Sequence, residues 1–375
     1  MEDKNRASDQ ASNQALLDQE VLNKLARQAL GTNYGRITPM EGGGSHRRFY
    51  RMAGPLASGV ASESPALPPS LVGVAGEDRD EMKAFIAYTH HFAGKGIPVP
   101  RLFAETPDAG AYLLEDLGDE HLAERLRSWR ASGYGTLALN ALNQVVGWLA
   151  RIQVRGGQGL DFSLAADGAS GNGHTPPELD GRVFRADLEG FITHYALRYG
   201  PDGGRVPEAV QADLTQLVGR LEALSREHFC YRDFQARNIM WRKSTDCSEG
   251  PVFLDYQSGR KGPLAYDLAS LLFSPDTGAD EVERDLLIQA YLKALADLGA
   301  PQDEQRFLDG FYPIVLVRRL QALGAYARIG HSQGKPEYLE KIPPALATLG
   351  ELRSQGRLNL GLPALEAYLD AMLAG

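Results

Sequence analysis

The spacing of apolar residues changes character about a third of the way along the chain. From Leu16, one helical face gathers Leu16, Leu17, Val21, Leu22, Leu25, Ala29 and Leu30, and Gly31 ends the pattern. The polar residues before it, up to about Asn13, read as a disordered tail. Residues 37–52 read as a hairpin that turns at Gly42-Gly43-Gly44-Ser45 and carries Phe49, Tyr50 and Arg51 in its second strand. Residues 53–70, rich in Pro, Ser, Ala and Gly, form a long surface loop by composition. LVGVA at 71–75 predicts a buried strand, 80–92 a helix, and Pro98-Val99-Pro100 a stiff connector. Tyr112-Leu113-Leu114 is a short apolar strand that runs into Glu115-Asp116-Leu117-Gly118. Beyond Gly118 helical periodicity dominates, over roughly 135–153, 187–199, 207–226, 280–299 and 305–329. One β-like region, 229–256, lies among these helices, and the Gly- and Pro-rich 161–179 reads as a loop. There is no internal repeat.

Composition narrows the class. A chain of 375 residues suits two domains, and 43% hydrophobic with 23% charged residues is ordinary for a globular protein. The net charge of -9 argues against a nucleic-acid binder, whose footprint is a basic patch or stripe. Two cysteines, Cys230 and Cys247, imply no disulfide framework and suit a reducing compartment. The start, MEDKNRASDQ, has no apolar signal core, and no apolar run approaches the ~20 residues that span a bilayer. A cytoplasmic protein with no membrane or nucleic-acid partner is expected, and no protein partner is inferred.

The stretch YRDFQARNIM (231–240) holds the densest chemistry. Asp233 stands five residues before Asn238 on a loop leading into apolar residues, and Phe253-Leu254-Asp255-Tyr256 places a second carboxylate at the end of an apolar strand. Phosphoryl transfer from ATP needs such a set. One carboxylate orients the attacking hydroxyl and accepts its proton, while an amide oxygen and another carboxylate hold magnesium against the phosphates. An isolated Asp-x4-Asn also suits turns and helix caps. The strand-end Asp255 tips the balance, because carboxylates so placed tend to face a site.

YRDFQARNIM resembles the catalytic loop of the aminoglycoside phosphotransferase family. LDYQSGRKGPLAYDLASLL is similar to that family's magnesium-binding segment and the helix after it. The likeness runs in order from about Gly42 to about Tyr338. It implies an α+β, two-lobed protein-kinase-like fold with a small β-rich N-terminal lobe and a larger, mainly helical C-terminal lobe. On that pattern residues 1–30 are a tail and helix, 31–118 the nucleotide-binding lobe and connector, and 119–375 the catalytic and acceptor-binding lobe. The resemblance implies ATP and Mg2+ as cofactors, Asp233 as the catalytic residue, Asn238 and Asp255 as metal ligands, and Asp267 as a brace for the loop. It also implies that backbone groups at Glu115 and Leu117 meet the adenine.

Gly42, Gly43, Gly44 and Ser45 would lie over the phosphates, where glycines admit close backbone approach. They do not form a P-loop, because no Gly-Lys-Ser/Thr follows. GGGSHRRFYR, GRKGPLAYDLASLL and VRRLQALGAYARI with the later GKPEYL resemble kinases of the anomeric hydroxyl of N-acetylmuramate and N-acetylglucosamine. The implied partner is a small-molecule acceptor, an amino sugar, with Arg237, Arg318 and Arg319 as candidate contacts. An aminoglycoside, choline or homoserine-like acceptor is the alternative, and a nucleotide-binding pseudokinase the non-enzymatic one.

Two positions depart from the family. Tyr231 stands where the loop usually begins with His, and the strand 71–75 lacks the lysine that usually pairs with the α- and β-phosphates. Arg47, Arg48 and Arg51 are the candidates to supply that charge. Arg318 or Arg319 would meet an anionic acceptor group, or else form a surface ion pair. His90-His91 reads as helix surface rather than a metal site.

Overall fold

The structure is a computed structural model, described for residues 2–40, 47–56, 67–106, 108–166, 176–243 and 249–374. The chain begins with α1 (Glu2–Leu30), then β1 (Tyr34–Pro39), β2 (Arg48–Pro55), β3 (Ser70–Ala75), α2 (Arg79–Gly94), β4 (Leu102–Glu105) and β5 (Ala111–Glu115). Helices α3 (Leu122–Ala131), α4 (Gly135–Arg151), α5 (Gly181–Phe191), the single turn α6 (Leu197–Tyr199) and α7 (Glu208–Glu222) follow. Next come β6 (His228–Cys230), β7 (Ile239–Lys243), β8 (Glu249–Phe253) and β9 (Arg260–Gly262). The chain closes with α8 (Ala265–Leu272), α9 (Glu281–Asp297), α10 (Glu304–Ser332), α11 (Ile342–Ser354) and α12 (Pro363–Ala374). Contacts divide it into two units, the first being Met1–Glu120, Leu160–Thr175 and Ile239–Ser258.

The first unit is built on an antiparallel five-stranded sheet in the order β1-β2-β3-β5-β4. The two-residue period of the strands gives it two faces. Tyr50 and Met52 of β2, Leu71 of β3, and Ala111 and Leu113 of β5 pack with Leu22, Leu25 and Ala26 of α1. Gly73 permits this, since a Cβ there would lie 2.8 Å from Leu22 Cδ1. Asp18, 4% exposed, pins α1 to the sheet by accepting from Arg48 and from the Tyr50 hydroxyl at 2.7 Å. On the other face Tyr112 stacks on Phe85 of α2 at 5.1 Å. Asp78 starts α2 by capping the Glu81 amide at 3.0 Å. The β7–β8 hairpin returns to this unit and is tied in by Phe253 N to Pro98 O, 2.9 Å, and Trp241 N to Glu120 O, 3.2 Å.

The tail expected to be disordered up to Asn13 is instead the first part of α1, which starts at Glu2. No Gly or Pro occurs between Glu2 and Leu30, so nothing interrupts the helix before Gly31 adopts φ 71 and its amide caps Arg27 O.

The second unit comprises His121–Gly159, Pro176–Asn238 and Gly259–Gly375 and is mainly helical. Helix α10 packs along α5 and α8, and α4 along α9. Gly324 lets α10 close on α5, since a Cβ there would stand 2.8 Å from Gly190 O. The short ladder β6–β9 pairs Cys230 with Arg260. Helix α4 ends in a π-helical stretch, Ile152–Gly156, which turns Gln153 inward to 1% exposure. Among the described residues no helix is long and apolar enough to cross a membrane.

Candidate active site

The loop after β6 is bent by backbone strain. Arg232 has φ 75, a left-handed conformation that costs a non-glycine residue about 1–3 kcal/mol and persists only where its surroundings enforce it. Asp267, fully buried in the first turn of α8, enforces it by accepting from the amides of Tyr231 (2.8 Å) and Arg232 (2.9 Å). Gln153 Nε2 donates to the same carboxylate at 2.8 Å, and the Tyr291 hydroxyl donates to Gln153 Oε1. The Tyr231 ring packs edge-on against Phe234 at 5.1 Å and Phe229 at 6.1 Å, so the residue in the histidine's place is held by packing.

Asp233 follows this bend with its side chain 36% exposed. Gln235 Nε2 donates to Asp233 Oδ1 at 2.6 Å, and Arg237 Nη2 stands 3.6 Å away. Asn238 Nδ2 donates to the Asp233 carbonyl at 2.9 Å, which commits the amide nitrogen and leaves its oxygen as the group that can take a cation. The turn thus fixes a carboxylate and an amide oxygen relative to one another.

Burial pushes the Asp267 carboxyl up to about 6, against the pull of its amide donors. Its folded pKa lies above the unfolded 3.8, so its stabilising contribution is complete below 3.8 and is lost as the pH rises through about 6. Catalysis should run the other way, because a protonated Asp267 presents a hydroxyl to two N–H donors. The expected rate falls as the pH drops through about 6. Asp267→Asn should cost about 1–3 kcal/mol of stability by setting an amide NH2 against those donors. A pH–rate profile and thermal melts read the two effects. An Asn variant with the wild-type profile would remove Asp267 from the loop's support.

In the first unit, Asp255 lies just beyond β8 and also has a positive φ, 66. Its Oδ1 accepts from Arg47 Nη2 at 2.8 Å and Gln257 Nε2 at 2.9 Å. Glu81 of α2, 2% exposed, faces Arg47 Nε at 3.2 Å and accepts from Gln257 at 3.1 Å. The Arg47 guanidinium lies over the rings of Phe49 and Phe85, each 5.6 Å away. Burial disfavours its charge, but Tyr112, Asp255 and Glu81 outweigh burial and hold it firmly protonated. Tyr256 stacks on Phe85 at 5.1 Å, and its hydroxyl meets Thr89 Oγ1 at 2.6 Å. The strained carboxylate is therefore anchored to α2 from both sides.

This arrangement separates the arginines considered for the absent lysine. Arg48 is engaged by Asp18, and Arg51 by Asp116 and Asp119. Arg47 alone of the three meets Asp255, and it also pairs with Glu81 of α2.

The remaining predicted residues are distributed as follows. Glu115 ends β5, its carboxylate paired with Arg242 and its amide bonded to Arg101 O. Leu117 lies between Asp116, held by Arg51, and Gly118 at φ 81. Gly42, Gly43, Gly44 and Ser45 lie outside the described residues. Arg237 is half-exposed, 4.0 Å from Asp276. Arg318 and Arg319 are buried, 9% and 5% exposed, so neither makes a surface ion pair. Arg318 donates to Ser270 Oγ, Tyr266 OH and Gln321 Oε1. His90 is exposed and meets Glu105.

Sequence reading passed over Glu81, Gln257, Gln153 and Asp187. Burial raises the Asp187 pKa against the arginines Arg232, Arg318 and Arg260. Glu81 gave no signal, since a carboxylate in a helix's first turn looks like ordinary dipole complement. Among the described residues no three of His, Cys, Asp and Glu gather as a metal-binding group. Magnesium needs no such cluster. It takes few hard oxygens and keeps waters, so the oxygens of Asn238 and Asp255 are of the right kind for it.

The phosphotransferase enzyme family matches residues 37–304. A Pseudomonas aeruginosa protein named N-acetylmuramate/N-acetylglucosamine kinase is 26% identical over 87% of this chain and 88% of its own. A Pseudomonas putida protein of the same name is 25% identical over 85% and 87%. Among solved structures, a choline/ethanolamine kinase family protein from Mesorhizobium loti superposes with TM-score 0.54 at 12% identity, covering 93% of this chain and 98% of that one. The GDP complex of aminoglycoside 2′-phosphotransferase-IIIa superposes with TM-score 0.51 at 10% identity, covering 87% and 97%. The sheet-based first unit, the helical second unit and these neighbours define a protein-kinase-like α+β fold. With more than half of its length matched, the chain belongs to the phosphotransferase enzyme family, whose members transfer phosphate to a hydroxyl group.

Proposed function

We propose that this protein is an ATP-dependent kinase that transfers the γ-phosphate to the anomeric hydroxyl of an N-acetylated amino sugar. The observation that carries the acceptor assignment is the likeness to relatives named for N-acetylmuramate and N-acetylglucosamine, which extends over most of both chains. In this reading Asp233 aligns the acceptor hydroxyl and receives its proton as the oxygen attacks phosphorus. Asn238 and Asp255 contribute oxygens to magnesium, which when bound draws charge off the phosphates. Arg47 takes the part of the missing strand lysine, braced by Glu81 and holding Asp255 in its strained conformation. Glu115 and Leu117 offer backbone groups to the adenine, and Gly42 to Ser45 offer amides to the phosphates.

The test is an ATP-consumption screen over amino sugars, aminoglycosides and amino alcohols, followed by phosphorus NMR of the product. The expected result is a sugar 1-phosphate from N-acetylglucosamine and N-acetylmuramate, with much weaker turnover of glucose and 2-deoxyglucose. A site that hydrogen-bonds a substrate group rejects analogues lacking it. A 6-phosphate product, or turnover only with an aminoglycoside or amino alcohol, would overturn the acceptor assignment and leave the kinase standing.

A further inference from the structure

Gln153 is polar at a position where its helix would ordinarily place an apolar residue. It continues the buried stripe of α4, one turn beyond Leu149 and two beyond Val146, and is 1% exposed. The π-helical stretch that holds it, Ile152–Gly156, packs against β6, the strand that leads into the catalytic loop. Gly157 allows the approach, since a Cβ there would lie 2.8 Å from Phe229 Cβ. Such stretches are rare and recur at functional sites.

The Gln153 amide is held in one orientation. Nε2 donates to Asp267 Oδ2 at 2.8 Å and to the Leu264 carbonyl at 3.2 Å, which uses both amide hydrogens. Oε1 accepts from the Tyr291 hydroxyl of α9, which also reaches the Leu264 carbonyl at 3.1 Å. A flipped amide would set its oxygen against a carboxylate and a carbonyl. Tyr291 is itself fully buried and packs its ring on Phe307 at 5.9 Å. Asp267 in turn accepts from the Tyr231 and Arg232 amides. A continuous chain of hydrogen bonds thus runs from α9, through the end of α4 and the first turn of α8, to the strained residue directly before Asp233.

From this we infer that Gln153, oriented by Tyr291, is a positioning residue for phosphoryl transfer: it fixes the Asp267 carboxylate that bends the catalytic loop, and so places Asp233. The inference rests on the reading of Asp233 as the catalytic residue. The left-handed conformation of Arg232 persists only under constraint, and Asp267 supplies that constraint through two amides on one carboxylate. Without its third donor the carboxylate can turn, and the loop relaxes. Gln153 also bears on the working pH range. Burial pushes the Asp267 carboxyl up, and the bond from Gln153 opposes it by favouring the charged form. Among the described residues, the titratable groups around this carboxylate include the Cys230 thiol of β6, which donates to Oδ1 at 3.5 Å, and Tyr291. Burial pushes both up, so both stay protonated while Asp267 titrates. The Arg232 guanidinium bears on Cys230 and Tyr266. Loss of the Gln153 donor therefore lets Asp267 take up its proton at a higher pH.

The test uses Gln153→Met, which keeps the volume and loses the amide, and Tyr291→Phe, which loses one hydroxyl. Steady-state kinetics with Mg-ATP and N-acetylglucosamine are followed across the acid limb of the rate profile, with melting curves alongside. In Gln153→Met, kcat should fall roughly 10- to 100-fold with both KM values nearly unchanged, and in Tyr291→Phe by less. The acid limb should move up by about 0.5–1 pH unit, the weight of one neutral hydrogen bond. A folded Gln153→Met with a lowered melting temperature but wild-type kcat and acid limb would overturn the inference, since a purely structural amide behaves that way. If Gln153→Met does not fold, Tyr291→Phe decides on the same readouts. Hydrogen exchange at the Tyr231 and Arg232 amides, compared with other core amides of the same unit, needs no turnover. Selectively faster exchange is expected in both variants. Should Asp233→Asn keep its rate, that faster exchange would still support Gln153 as the loop's brace, and the catalytic reading alone would fall. Unchanged exchange would overturn the inference whatever the activity.

Discussion

Asp233→Asn is expected to lower turnover by about 100- to 10,000-fold, the usual contribution of a positioned proton acceptor, while Mg-ATP binding persists. The substitution isolates the chemistry because it leaves the loop's own bonding in place. Asn at 233 still offers an oxygen to Gln235 Nε2, and the Asp233 carbonyl still accepts from Asn238. The strain at Arg232 is held by Asp267 and not by Asp233. What disappears is a group able to orient the acceptor hydroxyl and take its proton, a role exercised in the transition state. The loss should therefore appear in kcat and kcat/KM together. Steady-state kinetics, calorimetry with Mg-ATP and a thermal melt make the test complete. A purified variant with near wild-type rate, or one that has lost nucleotide affinity in proportion to its rate, would remove Asp233 from the catalytic position.

The catalytic loop was legible because its information is local. Asp233, Asn238 and the apolar run behind them occupy one short stretch, and with the strand-end Asp255 their residue types point to phosphoryl transfer. The hairpin of β1 and β2 and the strand β3 were legible for a similar reason, since alternation and turn residues mark them directly. What holds the loop was legible only in part. Asp267 was expected as a brace from the family likeness. Its partner Gln153 comes from a π-helical turn that no periodicity announces, because the pattern up to that residue is ordinary amphipathic helix.

The arginine proposed to stand in for the missing lysine was hidden for a different reason. Arg47, Arg48 and Arg51 are equivalent in sequence, and only the pleat and the position of α2 distinguish them. Arg48 turns to α1 and Asp18, whereas Arg47 lies between two aromatic rings against Glu81 and Asp255. Short or weakly patterned elements such as β4, β9 and α3 also went unforeseen. Their stability comes from neighbours distant in sequence, as with β9, which pairs with β6 and is bridged to Glu178. The long helix α1 was foreseen over its apolar half alone, since its first turns have no apolar stripe to read.

Asp255→Ala should abolish the magnesium-dependent part of nucleotide binding, and a comparison with Asp255→Asn separates metal loss from strain. Asp255 holds φ 66, which an Asn tolerates and an Ala resists. Ala should thus lose about 1–3 kcal/mol of stability beyond the loss of the ligand, whereas Asn should keep the fold and lose only the carboxylate's charge. Both should lose affinity for Mg-ATP and nearly all activity, because Asp255 is the one carboxylate assigned to the metal. The buried partner sets a limit on the collateral damage. Arg47 keeps Glu81 when Asp255 is removed, so its charge is not stranded. The converse change, Arg47→Ala, leaves the buried Glu81 without its ion pair and frees the Asp255 carboxylate from its guanidinium. It should lower both stability and Mg-ATP affinity, whereas Asp255→Asn lowers affinity alone. Calorimetric titration of ATP with and without magnesium, alongside melting curves, distinguishes the three variants. Unchanged affinity and unchanged magnesium dependence in Asp255→Asn would show that the metal is held elsewhere, and would leave Arg47, Glu81 and Asp255 as a purely structural triad beneath the sheet.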